Sequence, residues 1–143
     1  MRPMEWTDKW SVGLEIVDDD HKKILQLINR LGEMRRDGRS ENGAASVIAS
    51  VAAYTDYHFR REERILEAIQ FPELDKHRAI HGRLKSKTNE YLQAVLEHPK
   101  LVDVEGFEAF LLQWWENHIL TEDMAYKSFV SESAKARMAA ESG

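Results

Sequence analysis

The segment Val51-Ala52-Ala53-Tyr54-Thr55-Asp56-Tyr57-His58-Phe59-Arg60-Arg61-Glu62-Glu63-Arg64-Ile65-Leu66-Glu67-Ala68-Ile69 decides how this chain is read. Val51, Thr55, His58, Glu62, Ile65 and Ile69 recur at intervals of three and four, the spacing of one helix face. That face is apolar at both ends and carries an imidazole and a carboxylate between them. A carboxylate on a core-facing line costs several kcal/mol if it stays charged and unpaired. Either Glu62 is neutral, or a cation lies beside it. No lysine or arginine falls on an inward line near the middle of any helix, so a metal ion would supply the missing charge.

Outward from this segment, three prolines and seven glycines leave long uninterrupted stretches. They predict helices over 19–36, 44–69, 73–96 and from Asp103 or Val104 to at least His118. Gly38, Pro72 and the His98-Pro99 pair mark the breaks, with a loop over 38–43. Short connections make successive helices antiparallel. The expected fold is all-α, an antiparallel up-down-up-down four-helix bundle. Residues 1–18 carry Trp6, Trp10, Val12, Leu14 and Ile16 without a helical period, and are expected to form an extended arm over the bundle. Residues 1–126 would then be one domain, followed by an Ala- and Ser-rich tail over 127–143, helical or disordered.

Composition narrows the function. A chain of 143 residues, 43% hydrophobic and 31% charged, suits a single soluble domain. Net charge is −5 and no basic block stands out, which argues against nucleic-acid binding. No apolar run approaches a membrane span, and Met1 to Lys9 carries no secretory h-region, so a cytoplasmic location is expected. With no cysteine, thiolate metal sites, disulfides and thiol nucleophiles are excluded.

Every predicted helix places histidine on its inward stripe. The first reads His21, Ile24, Ile28, Leu31; the third reads Leu74, His77, His81, Leu84, Thr88, Tyr91, Val95; the fourth reads Phe107, Leu111, Trp114, His118. Of six histidines only His98, in a loop, lies off these lines. His58 and Glu62, like His77 and His81, are four apart and project a turn apart from one face. Imidazole-rich ligation with some carboxylate suits iron, zinc, copper or nickel better than calcium or magnesium. The run Asp18-Asp19-Asp20 reads as an N-capping segment, without the glycine of a calcium loop. The other charges of the Arg60–Arg64 run read as a solvated face, with Glu63 pointing away from the core. Trp6, Trp10, Trp114, Trp115, Phe107 and Phe110 read as core and arm packing.

From Trp6 to Tyr126 the chain resembles the hemerythrin family in its bacterial single-domain form. The resemblance is carried by Val17-Asp18-x-x-His21-Lys22, His58-Phe59-x-x-Glu62-Glu63, His77-x-x-x-His81, and Trp114-x-x-x-His118-Ile119 followed by Asp123. The arm Trp6-x-x-x-Trp10-Ser11-Val12-Gly13 is similar as well. Asp20 departs from the pattern, standing where many bacterial members carry glutamine. The resemblance implies two iron ions. One would take His77, His81 and His118, the other His21 and His58. Glu62 and Asp123 would bridge the pair, together with an oxo or hydroxo group. Three nitrogens against two leave one open position, where dioxygen binds in the family. Ile24, Phe59, Trp114 and Ile119 are the candidates for an apolar shell. Helical spacing by itself pairs His118 with Glu122 rather than Asp123, five residues on. Following the resemblance therefore predicts a distorted fourth helix over 120–123, or an Asp123 that reaches in from the flank.

Reversible dioxygen binding without turnover is thus the expected function. A di-iron enzyme acting on peroxide or nitric oxide is the alternative. It is disfavoured by five histidines against two carboxylates and by the lack of any Glu-x-x-His. An oxygen-sensing signalling module, with the tail contacting a partner, is the third reading. Without metal, seven such side chains in a dry core predict a looser chain that loses stability as pH falls.

Overall fold

A computed structural model describes residues 4–38, 40–98 and 103–130. The four expected helices are present: α1 (Glu15–Arg36), α2 (Ser40–Ala68), α3 (Leu74–Glu97) and α4 (Val104–His118). After α4 the chain continues through a π-helical turn, Ile119–Asp123, a 3-10 turn, Met124–Tyr126, and a short α5 (Lys127–Val130). No strand occurs among the described residues. The tail beyond residue 130 lies outside them, and no described helix is long and apolar enough to cross a membrane.

Two boundaries differ from expectation. α1 begins at Glu15, so the arm ends earlier and the Asp18-Asp19-Asp20 run lies inside the helix rather than capping it. Asp18 turns back onto the arm instead, accepting from Ser11 Oγ at 2.6 Å and Val12 N at 2.9 Å. α2 begins at Ser40, so most of the expected 38–43 loop is helical backbone. The helix ends fit their sequences. Gly38, with φ +72°, supplies the left-handed residue that ends α1. Gln70, at φ 56°, plays that part after α2, where Phe71 N bonds back to Leu66 O at 2.9 Å. Asp103 caps α4 by accepting from Gly106 N at 2.9 Å.

The bundle is antiparallel. α1 packs on α2 and α4, and α2 also packs on α3. Early-α1 His21 meets late-α2 His58, and early-α3 His77 meets Asp123 just beyond α4. At the opposite end, Tyr91 of α3 stacks on Phe107 of α4 with ring centroids 4.2 Å apart. There too Glu108 is buried against Arg35 and Arg36. Ile28, Leu31, Ile48, Val51, Phe107 and Leu111 belong to the main core. A smaller cluster of Val12, Leu14, Val17, Ile65, Leu66, Phe71 and Tyr126 seals the end where the arm and the π-turn meet. In the arm, a 3-10 turn over Asp8–Trp10 buries Trp10 against Trp115, whose indole donates to His21 O at 3.1 Å. The arm thus closes the end of the bundle that carries the histidines.

Candidate metal centre

All seven side chains singled out from the sequence converge at that end. His21, His58, Glu62, His77, His81, His118 and Asp123 are each at most 3% exposed. α1 contributes His21, α2 His58 and Glu62, α3 His77 and His81, and the end of α4 with its π-turn His118 and Asp123. Two donor groups result, each able to surround one ion. The first is Glu62, His77, His81, His118 and Asp123; the second is His21, His58 and Glu62.

The carboxylates are shared oxygen by oxygen. Glu62 Oε1 lies 2.7 Å from His77 Nε2 and 3.1 Å from His81 Nε2, while Oε2 lies 3.3 Å from His58 Nε2 and 3.8 Å from His21 Nε2. Asp123 Oδ1 lies 3.1 Å from His77 Nε2 and 3.0 Å from His118 Nε2, while Oδ2 lies 3.2 Å from His21 Nε2. Each carboxylate therefore turns one oxygen to each histidine group.

The π-turn explains how Asp123 arrives. In an α-helix residues five apart diverge by about 140° around the axis. One wider turn brings Asp123 back under His118, so of the two alternatives that followed from the resemblance the distorted helix is the one found. Glu122, the partner that plain helical spacing nominates, lies instead 3.3 Å from the outer nitrogen, His118 Nδ1.

The buried carboxylates and imidazoles of the cluster shift one another's protonation. Burial pushes the Glu62 and Asp123 carboxyls up, but the surrounding imidazoles outweigh it and hold both well below the usual carboxylate range. Burial likewise pushes the His21, His58, His77 and His118 imidazoles down. Glu62 and Asp123 outweigh it at three of them, holding His21 up to about 9, His118 to about 9 and His77 to about 10; His58 is raised by Asp20 and Glu62. Hydrogen bonding leaves two members of the cluster unsatisfied. Neither oxygen of Asp123, at 0% exposure, nor His21 Nδ1 has a hydrogen-bond partner. A buried carboxylate ringed by nitrogens at 3.0–3.2 Å without a well-aligned hydrogen bond fits donors that could hold a common ion. Ligands about 2.1 Å from one metal, on adjacent vertices, sit about 3 Å apart. The donor set fits a buried metal centre.

Around it lies an outer ring that sequence reading missed. Tyr126 Oη donates to Glu62 Oε2 at 2.7 Å. His81 Nδ1 donates to Glu63 Oε2 at 2.8 Å, so Glu63 faces the site and not the solvent. His58 Nδ1 donates to Asp20 Oδ2 at 2.9 Å. Arg61, expected on the solvated face, is buried against that same carboxylate. Only Glu122 left a signal, its four-residue offset from His118. Of the apolar shell, Phe59 stacks on His81 with centroids 3.6 Å apart and Trp114 on His118 at 4.6 Å. Ile24 and Ile119 are buried, and Trp114 is half-buried.

Comparison with known proteins agrees. The family model described as hemerythrin HHE cation binding domain matches residues 12–130. A bacteriohemerythrin of Pseudomonas aeruginosa (strain LESB58) is 28% identical over 93% of this chain and 85% of its own. A hemerythrin-like protein of Naegleria gruberi is 28% identical over 87% of this chain and 92% of its own. A crystal structure of a hemerythrin mutant shares the fold with TM-score 0.83 at 23% identity, covering 92% of this chain and 99% of that one.

Proposed function

The chain belongs to the hemerythrin family, and from that premise we propose that it is a non-haem di-iron protein of the cytoplasm that binds dioxygen reversibly, for storage, delivery or sensing, without enzymatic turnover. His77, His81 and His118 would hold one iron, His21 and His58 would hold the other, and Glu62 and Asp123 would be shared between them. When bound, the iron pair supplies two electrons and one open coordination position for dioxygen. The observation that carries this reading is the division of the buried donors into a three-imidazole and a two-imidazole group, with one oxygen of each carboxylate turned to each. The chain offers one nitrogen fewer on the His21 and His58 side, so the open position would fall there.

The remaining residues hold and seal the centre. Phe59 and Trp114 fix the planes of His81 and His118 by stacking. Ile24 and Ile119, both nearly inaccessible, keep water and anions out. Tyr126 orients Glu62 by donating to the oxygen that faces the two-imidazole group.

Metal analysis with absorption spectra under argon and under air tests this. Two irons per chain are expected, with near-ultraviolet and visible charge-transfer bands that rise in air and fade on deoxygenation. A chain that retains only zinc, and takes up no iron when reduced iron is offered, would overturn it.

A further inference from the structure

His58 differs from its partner in the two-imidazole group. His21 Nδ1 is buried with no hydrogen-bond partner, whereas His58 Nδ1 is anchored 2.9 Å from Asp20 Oδ2. Asp20 is itself 2% exposed and tightly held. Arg61 Nη1 donates to its Oδ1 at 3.1 Å and to its Oδ2 at 3.2 Å, and Tyr54 Oη donates to Oδ1 at 3.0 Å. Arg61 is tied in turn to the Tyr57 hydroxyl. Glu63 and Glu122, the other carboxylates that meet ligand imidazoles from outside, are 20% and 28% exposed at the side chain. Asp20 is thus the fully buried carboxylate of the outer ring among the described residues.

With two donors fixed on it, the Asp20 carboxylate can only accept from His58. That places the proton on Nδ1 and leaves the lone pair on Nε2, the nitrogen 3.3 Å from Glu62 Oε2. We propose that Asp20, clamped by Arg61 and Tyr54, is a positioning residue that fixes the tautomer and ring orientation of His58, and thereby governs retention of the metal in the two-imidazole half of the centre. This rests on the reading of His58 as a ligand. It gives neighbouring residues separate tasks: His21 turns into the donor cluster, while Asp20 reaches across to α2.

The test uses the full chain loaded with iron or zinc. Asp20→Ala is expected to release one of two metal equivalents to a chelator tenfold to a hundredfold faster, leaving the equivalent held by His77, His81 and His118 unchanged. Asp20→Asn, which keeps a neutral acceptor, should fall between Asp20→Ala and the parent, and serves if Asp20→Ala fails to fold. In nitrogen-15 spectra of the zinc form, the parent should show a slowly exchanging His58 Nδ1 proton that Asp20→Ala lacks. Release kinetics and a His58 Nδ1 proton unchanged in both variants would overturn the proposal. His58→Ala separates the two ideas. If it releases metal while the Asp20 variants do not, only the role of Asp20 falls; if it too retains both metals, the ligand reading falls.

Discussion

His118 Nε2 and Asp123 Oδ1 lie 3.0 Å apart although five residues separate them along the chain. The π-helical turn over Ile119–Asp123 makes this approach by admitting one extra residue. Deleting the exposed Thr121 should convert the turn to an ordinary α-turn in which Asp123, then four residues after His118, still faces the cluster, whereas inserting an alanine after Thr121 should swing it by about 100° away. The expected result is metal kept in the deletion variant and lost from both donor groups in the insertion variant, with helical content kept in both, read by metal analysis and circular dichroism. Full metal content in the insertion variant would mean that the register of the turn does not deliver the carboxylate.

Glu62 belongs to both donor groups. Glu62→Ala should therefore empty both, whereas a histidine variant such as His81→Ala should weaken mainly one. Far from the site the packing of Ile28, Leu31, Ile48 and Phe107 is untouched, so the helices should still assemble. Metal stoichiometry set against the thermal melt of the metal-free protein distinguishes these effects. Normal iron loading of Glu62→Ala would contradict the bridging assignment.

How much of this was legible beforehand follows from what a helix face can encode. Intervals of three and four placed His58, Glu62, His77 and His81 on inward lines, because those positions obey the regular period. Asp123 breaks that period, and only the family resemblance nominated it; a π-turn has no propensity signature to read. The outer ring escaped for another reason. Asp20, Glu63 and Arg61 sit one residue beside a ligand, about 100° around the helix, where a stripe analysis assigns them to the flank. In the bundle that flank meets a neighbouring helix, and long side chains from α2 curl into the seam. The early start of α1 was hidden because Glu15 to Asp18 read as arm, while Asp18 holds the arm down by bonding backwards.

At the opposite end of the bundle, Gly32 makes room for a buried charge. A methyl group there would overlap Glu108 Oε2, at a carboxylate already held by Arg35 at 3.1 Å and Arg36 at 3.7 Å. The carboxylate end is flexible in itself, but moving it separates the pair in a place where Glu108 is 2% exposed. Gly32→Ala should cost about 1–3 kcal/mol as overpacking, despite the helix preference of alanine. The thermal midpoint should fall while metal content stays normal, since the site lies at the far end. An unchanged or raised midpoint would show that Glu108 relocates freely.

The pH dependence of the metal-free chain should run opposite to the simple expectation that it weakens as its ligands protonate. His21, His77 and His118 have folded pKa values of about 9, 10 and 9, against 6.5 for a free imidazole. A group raised on folding stabilises fully below its unfolded value and loses that contribution as pH climbs through the folded one. Glu62 and Asp123 are lowered, so their contribution is present above about pH 4 and lost only in stronger acid. Together these leave the metal-free protein most stable between about pH 4.5 and 6.5, and declining as pH rises towards 10. The metal-loaded protein should do the reverse across the neutral range, because protons compete with metal for the imidazoles as pH falls. Chemical denaturation of both forms at about pH 5.5, 7.5 and 9 reads the two slopes. If the metal-free chain gains stability over that interval, the imidazoles are not held protonated by Glu62 and Asp123, and the electrostatic account of the empty cluster fails.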